Sequence, residues 1–322
     1  MQLFKCQVCA QLLYFENSRC ERCGHVLGYQ PEHNRLLALE ADDNVWTVAN
    51  TDDATRCKFC SNATYGVCNW LIDAAAPEAF CLACRHNSTI PNLSEPRNLL
   101  LWRRIEVAKH RLFYSLLRFR LPLITKARDA SGLAFDFLDA AGEPVMTGHL
   151  DGTITINLAE ADDAHREQQR GEMGEPYRTL LGHFRHEIAH YYWDRLVRDR
   201  AAHGRFREIF GDEREDYGEA LQRHYANVQP DNWADSYVSS YARAHPWEDW
   251  AETWAHYLHI RDTLQTAAAY GLGVSGSARP SDATATDAIE SIVATWLPLS
   301  YALNAVNRSM GKDDLYPFVL TG

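Results

Sequence analysis

A chain of 322 residues with 46% hydrophobic content and 9 tryptophans is long enough for one sizeable core and a smaller appendage, which excludes disorder over most of its length. Its net charge of -11 disfavours non-specific nucleic-acid binding as the main activity. No run of eighteen apolar residues occurs, and Met1-Gln2-Leu3-Phe4-Lys5-Cys6 lacks the apolar stretch of a signal peptide, so the expected location is the cytoplasm, with no membrane partner.

The charge is unevenly spread, at -4 for residues 1–95, +8 for 96–128 and -15 for 129–322. All nine cysteines lie between residues 6 and 84, a clustering that reads as metal ligation rather than disulfide stapling in a chain without an export signal. Cys6-x2-Cys9 and Cys20-x2-Cys23, ten residues apart, have the spacing of a zinc ribbon in which two turns each offer a pair of thiolates. Gly24 supplies the permissive backbone of the second turn. Five cysteines then compete for a second four-coordinate ion. Cys81-x2-Cys84 is one arm and Cys60 belongs to the other, with either Cys57 or Cys68 beside it.

From Pro96 to Arg120, Leu101, Ile105, Ala108, Leu112, Leu116 and Phe119 recur at spacings of three and four, which predicts one basic amphipathic helix that packs against its own protein and connects two domains. Residues 133–163 change to strand periodicity, with Asp151-Gly152 as a hairpin signal before the alternating Thr153–Leu158. Beyond them the pattern is helical over 176–198, 215–227, 246–270 and 286–309. A loop rich in Gly, Ser, Ala and Thr is expected between the last two, over 271–286.

Within the first of these helices, His186-Glu187-Ile188-Ala189-His190 stacks two imidazoles on one face with a carboxylate beside them, the layout of a catalytic zinc site. His186, His190, Glu187 and Asp194 share one sector of the helical wheel, while Leu181, Phe184, Ile188 and Tyr191 form the opposite side. A catalytic zinc needs a third protein ligand. Positions 193 and 196, where an extended histidine pattern would place Gly and His, are Trp193 and Leu196, so the ligand must come from farther along the chain.

Glu248 and Glu252, four apart on the helix that Pro246 begins, are the candidates. Glu248 is assigned to the metal and Glu252 to orienting a ligating imidazole through its other N–H, although spacing alone also permits the reverse. His183, His256 and His259 are reserve ligands. Glu187 is placed as general base toward a metal-activated water. Asp194 either orients a ligand or pairs along the helix face. For the oxyanion of an attacked amide, Tyr241 is the first candidate donor and His245 the second, with packing as ordinary aromatics an equal reading for Tyr237 and Tyr241.

These residues resemble bacterial zinc-binding metallopeptidases that carry an N-terminal zinc ribbon. The likeness spans nearly the whole chain. It rests on Cys20-Glu21-Arg22-Cys23-Gly24-His25, Val67-Cys68-Asn69-Trp70-Leu71, Thr89-Ile90-Pro91-Asn92-Leu93-Ser94, the run Gly174 to Glu187, Tyr191-Tyr192-Trp193-Asp194-Arg195-Leu196 and the helix Trp247 to Ile260. The resemblance implies a gluzincin-like peptidase with His186 and His190 as ligands and Glu187 as catalytic acid, and it implies no particular substrate. It also favours Cys68 over Cys57, because Cys60-Ser61-Asn62 and Cys68-Asn69-Trp70 fit the family's pattern. Two departures stand out: the chain stops at Gly322, soon after Tyr316-Pro317-Phe318, and Cys57 is an additional thiol.

The expected fold is therefore α+β, with a zinc-ribbon module over 1–95, a basic connecting helix over 96–128, and a mainly helical zincin-like catalytic domain with a small antiparallel sheet over 129–322. The expected cofactors are one catalytic and two structural zinc ions, and the expected partner is a peptide or protein substrate. The rival readings are a zinc-ribbon binding or regulatory protein with a non-catalytic zincin-like domain, and a non-peptide amide hydrolase.

Overall fold

The computed structural model describes residues 1–51, 55–139, 145–173, 175, 177–226, 233–280, 288–318 and 320. The chain divides into two compact units. The first holds residues 1–147, 155–162 and 269–271, and the second holds 148–154, 163–268 and 272–322.

In the first unit, β1 (Phe4–Lys5) and β2 (Leu12–Leu13) pair antiparallel, Phe4 opposite Leu13, and the loop between them carries Cys6 and Cys9. An antiparallel meander follows, in the order β3 (Val26–Gln30), β4 (Arg35–Asp42), β5 (Val45–Val48), β6 (Arg56–Phe59) and β7 (Leu71–Asp73). Its first two turns use Asn34 (φ 49°) and Asp43 (φ 51°), residue types that tolerate a left-handed backbone at modest cost. The sheet curls until Tyr29 bridges Trp70, and Tyr29 N–H donates to the Asn69 carbonyl at 2.8 Å. Gly28 permits this closure, since a Cβ there would lie 2.5 Å from the Leu71 side chain. Leu37, Leu39, Val48, Cys57 and Leu71 form the sheet's core.

This meander was not legible beside the cysteine spacing. The apolar run Leu36-Leu37-Ala38-Leu39 is buried throughout, so it lacks the alternation that marks a half-exposed strand.

After β8 (Asn87–Thr89), Pro96 opens α1 (Pro96–Arg118), and the chain returns in β9 (Ala134–Leu138), which runs parallel to β8 with Asn87 opposite Phe135. The sheet around α1 thus contains a parallel pair. Five of the six expected stripe residues of α1, Leu101, Ile105, Ala108, Leu112 and Leu116, are 6% exposed or less, while α1 ends at Arg118 and leaves Phe119 half-buried as its C-cap. Glu106 and Lys109 are buried as fully as the leucines, a feature that periodicity gave no reason to expect.

A hairpin of β10 (Gly148–Leu150) and β11 (Thr153–Asn157) turns at Asp151 (φ 47°) and Gly152 (φ 80°), which a type I′ turn requires. The sheet order is β10-β11-β9-β8.

The second unit is helical: α2 (Asp163–Met173), α3 (Leu180–Leu196), α4 (Ala202–Phe210), α5 (Tyr217–Ala226), α6 (Pro246–Tyr270) and α7 (Ile289–Ser309). α3 starts four residues later than its periodicity suggests, because the Thr179 side chain accepts from Gly182 N–H at 3.0 Å and caps the helix there. α2 and α4 had no clear apolar stripe to reveal them. Pro176, Asn227 and residues 281–287, on which parts of the expected helices and loop fall, lie outside the described residues.

α6 and α7 share a core of Ile260, Leu264, Ala267, Ile292, Trp296 and Leu299, closed by Tyr316. Each such large side chain contributes about 1.5–3 kcal/mol by leaving water. A second cluster, Trp193, Val197 and Phe206 with Trp247 and Trp250 against it, fixes α3 to α4 and α6. Among the described residues no helix is long and apolar enough to cross a membrane.

Candidate metal centres

In the second unit, the 3.6-residue period of α3 puts His186 and His190 on one face, with ring centroids 5.0 Å apart. Their Nε2 atoms lie 3.3 Å from each other. α6 delivers Glu248 from its first turn, with Oε2 3.0 Å from His186 Nε2 and Oε1 3.7 Å from His190 Nε2. Trp250 Nε1 donates to the Ala189 carbonyl at 2.9 Å, which ties α6 to α3 between the two histidines. One donor atom from each of His186, His190 and Glu248 falls within 4.8 Å of the others.

The surroundings fix these side chains. His186 Nδ1–H donates to Glu252 Oε1 at 2.7 Å, and Glu252 Oε2 accepts from Ser239 Oγ at 2.6 Å. The hydroxyl of Tyr217, from α5, donates to Glu248 Oε1 at 2.7 Å. Glu248 is only 1% exposed, and its Oε2 lies against the His186 imidazole with no further hydrogen-bond partner among the described residues. A buried carboxylate with two imidazole nitrogens converging on it is stabilised by a cation, so the donor set fits zinc.

Electrostatics sharpen the division of roles. Burial raises the Glu187 carboxyl to about 7, aided by Glu248 and Glu252 and opposed by His186. Burial likewise holds the His190 imidazole down at about 3, against the pull of Glu248. For His186 burial is outweighed by hydrogen bonds and charge from Glu248 and Glu252, which push its pKa well up. Glu248 stays at about 2 despite burial, because His186, His190 and Tyr217 all favour its charged form.

The remaining candidates have other partners. Asp194 pairs with Arg198 one turn on, at 2.6 Å. His245 Nδ1 accepts from Trp247 N–H at 3.1 Å and its Nε2–H faces the Glu215 carbonyl at 3.2 Å, so this histidine caps α6. His256 accepts from the Tyr316 hydroxyl at 2.7 Å, His259 from Arg185 at 3.0 Å, and His183 is not in the donor group. Tyr241 stands 6.0 Å from the His186 ring and shares a hydrogen bond with Tyr217. Tyr217 itself carried no signal in the sequence, since its helix is short and distant from the motif. A cavity of about 780 Å³ opens beside the start of α6, lined by Tyr237, His245 and Asp249 among others but by none of the three donors.

In the first unit, Cys6, Cys9, Cys20 and Cys23 converge, with Sγ separations of 3.6 Å for Cys6–Cys23 and for Cys9–Cys20. Cys60, Cys68, Cys81 and Cys84 form a second set, with Cys68–Cys81 at 3.8 Å. Four thiolates at about 2.3 Å from a tetrahedral zinc stand about 3.8 Å apart, and a disulfide would need about 2.05 Å, so both sets suit zinc and neither is oxidised. Cys57 lies on β6 instead, 3% exposed in the sheet core, with its thiol toward the Trp46 carbonyl at 3.4 Å.

Comparison with known proteins agrees with this chemistry. Residues 98–322 match the family described as "Putative zinc-binding metallo-peptidase", and residues 3–95 match a zinc-ribbon domain. Uncharacterized proteins of Mycobacterium tuberculosis and Mycobacterium bovis are 47% identical over 322 residues, covering 99% of this chain and 91% of theirs. No solved structure gives a significant match.

Proposed function

The chain belongs to the zinc-binding metallo-peptidase family, and from that premise we propose that its second unit is a gluzincin-like peptidase that hydrolyses peptide bonds in a peptide or protein substrate. The observation that carries this reading is the buried Glu248 carboxylate, whose Oε2 meets the His186 imidazole and whose Oε1 faces that of His190. These three side chains would hold the catalytic ion. Zinc held there supplies Lewis acidity for a carbonyl and acidifies water. Two further zinc ions belong to the two four-cysteine sets, as structural ions.

Glu187 accepts a proton from the attacking water and returns it to the leaving amine. A carboxyl near 7 suits both directions at neutral pH. Glu252 keeps Nδ1 of His186 protonated, so that Nε2 carries the lone pair. Tyr217 anchors one oxygen of Glu248. Tyr241 is assigned as donor to the developing oxyanion, from its place beside His186. Unpaired cysteines throughout the first unit suit a reducing compartment such as the cytoplasm.

The decisive experiment measures metal content and cleavage of a peptide library for the full chain and for Glu187→Gln. Three zincs in both proteins, with cleavage only in the wild type, supports the assignment. Equal cleavage by both removes Glu187 as the base, and cleavage of small amides but no peptide moves the activity to the other hydrolase class.

A further inference from the structure

Behind the helical donor set of the second unit, one hydroxyl makes two bonds that lead in different directions. Ser239 belongs to the turn ahead of α6 and is 9% exposed. Its Oγ accepts from Ala242 N–H at 3.1 Å, which closes the turn from Ser239 to Ala242. It also donates to Glu252 Oε2 at 2.6 Å, and the other oxygen of that carboxylate accepts from His186 Nδ1–H at 2.7 Å. A serine that only capped a turn would use its oxygen and leave its proton to solvent. Here the proton goes to the carboxylate behind His186.

The same turn meets a second donor by another route. Tyr241 lies within it, with its ring 6.0 Å from the His186 ring, and shares a hydrogen bond with Tyr217. The Tyr217 hydroxyl in turn donates to Glu248 Oε1 at 2.7 Å. Residues 239–242 therefore reach His186 through Ser239 and Glu252, and Glu248 through Tyr241 and Tyr217. Moving the turn would pull the hydroxyl off Glu252, and rotating Glu252 would strip the turn of its hydroxyl, so the two arrangements support each other.

We propose that Ser239 is a positioning residue for the metal centre: its hydroxyl couples the turn that carries Tyr241 to the imidazole of His186, so that ion affinity and the placement of Tyr241 are set together. The proposal rests on the reading that His186, His190 and Glu248 hold zinc. It deepens that reading by placing control of the site in a turn outside the two helices that supply the donors.

The test compares the zinc-loaded full chain with Ser239→Ala, Ser239→Thr, Glu252→Gln and the Ser239→Ala, Glu252→Gln double variant. Chelator competition reads zinc retention, and NMR reads amide exchange at Ala242. Ser239→Ala should weaken retention at the helical centre about 10–100-fold and speed Ala242 exchange about 2–10-fold. Ser239→Thr keeps the hydroxyl and should restore both. In the Glu252→Gln background the alanine change should cost little further zinc, since the hydroxyl acts through that carboxylate. Cleavage by Ser239→Ala should show a lower kcat with KM nearly unchanged, because Tyr241 meets the oxyanion only in the transition state. Unaltered retention in Ser239→Ala, equal losses in the alanine and threonine variants, or full additivity with Glu252→Gln overturns the proposal. A wild type without zinc at the helical centre overturns the metal reading and the proposal together. Retention and exchange as expected, with no peptide cleaved by the wild type, removes the peptidase activity alone and leaves the positioning role supported.

Discussion

The two units assemble their donor groups by opposite means. In the first, eight cysteines converge from loops and short turns, and backbone N–H groups point at the sulfurs. In the second, three donors sit on two long helices clamped together by Trp250 and a tryptophan-rich core. Four thiolates complete a tetrahedron and leave an ion nothing to do but hold the chain together, whereas two imidazoles and one carboxylate leave a coordination position for chemistry. Donor count and the stiffness of the supporting elements, more than burial, separate a scaffold centre from a reactive one.

Stripping metal should break this contrast most visibly. Cys81→Ser is expected to unfold the first unit, since structural zinc contributes about 10 kcal/mol to such small modules, while His190→Ala should leave helix content nearly intact and abolish cleavage. Circular dichroism with metal analysis on both variants checks this, and a folded Cys81→Ser protein would erase the distinction.

Next in size, Glu187→Gln should lower kcat by about 10²–10⁴-fold with zinc content unchanged. Tyr217→Phe and Glu252→Gln act on the ligands rather than on the reaction, so each should weaken zinc binding by about 10–100-fold in a chelator titration. If Tyr217→Phe leaves affinity untouched, the hydroxyl is not what fixes Glu248.

Acid should separate the units too. Burial holds His256 at about 4 and His259 at about 3, the latter helped by Arg185, against an ordinary value near 6.5. The folded state therefore binds fewer protons than the unfolded chain, so the stability these groups contribute is complete above about pH 6.5 and is lost as pH falls toward 4 and below. The melting temperature of the wild type should drop by roughly several degrees between pH 6.5 and 4.5, and His259→Gln should flatten that slope. The smallest effect is expected from Cys57→Ala: about 1 kcal/mol of lost packing and no change in zinc count.

What the sequence disclosed follows from how local each signal is. The histidine pair on α3 is legible because two residues four apart must share a helix face. Glu248 and Glu252 are equivalent by that same rule, and only tertiary packing distinguishes them, leaving Glu248 1% exposed at the imidazole nitrogens and the Glu252 side chain 20% exposed behind His186. Cys57 and Cys60 have knuckle spacing, yet Cys57 lies on a strand whose side chains alternate, so its thiol turns into the sheet core. Tyr217 reaches Glu248 from an element with no motif of its own. Its role arises only when distant segments meet, which no window along the chain can reveal.

The order of the donors along the chain has a consequence for synthesis. The first cysteine set is complete by Cys23, the second by Cys84, and the histidine pair lacks its carboxylate until Glu248. A ribosome therefore releases the two thiolate centres well before the third can form. On the zinc reading, the thiolate sets can meet their ions while the chain is still growing, and the helical donor set is the last to be completed.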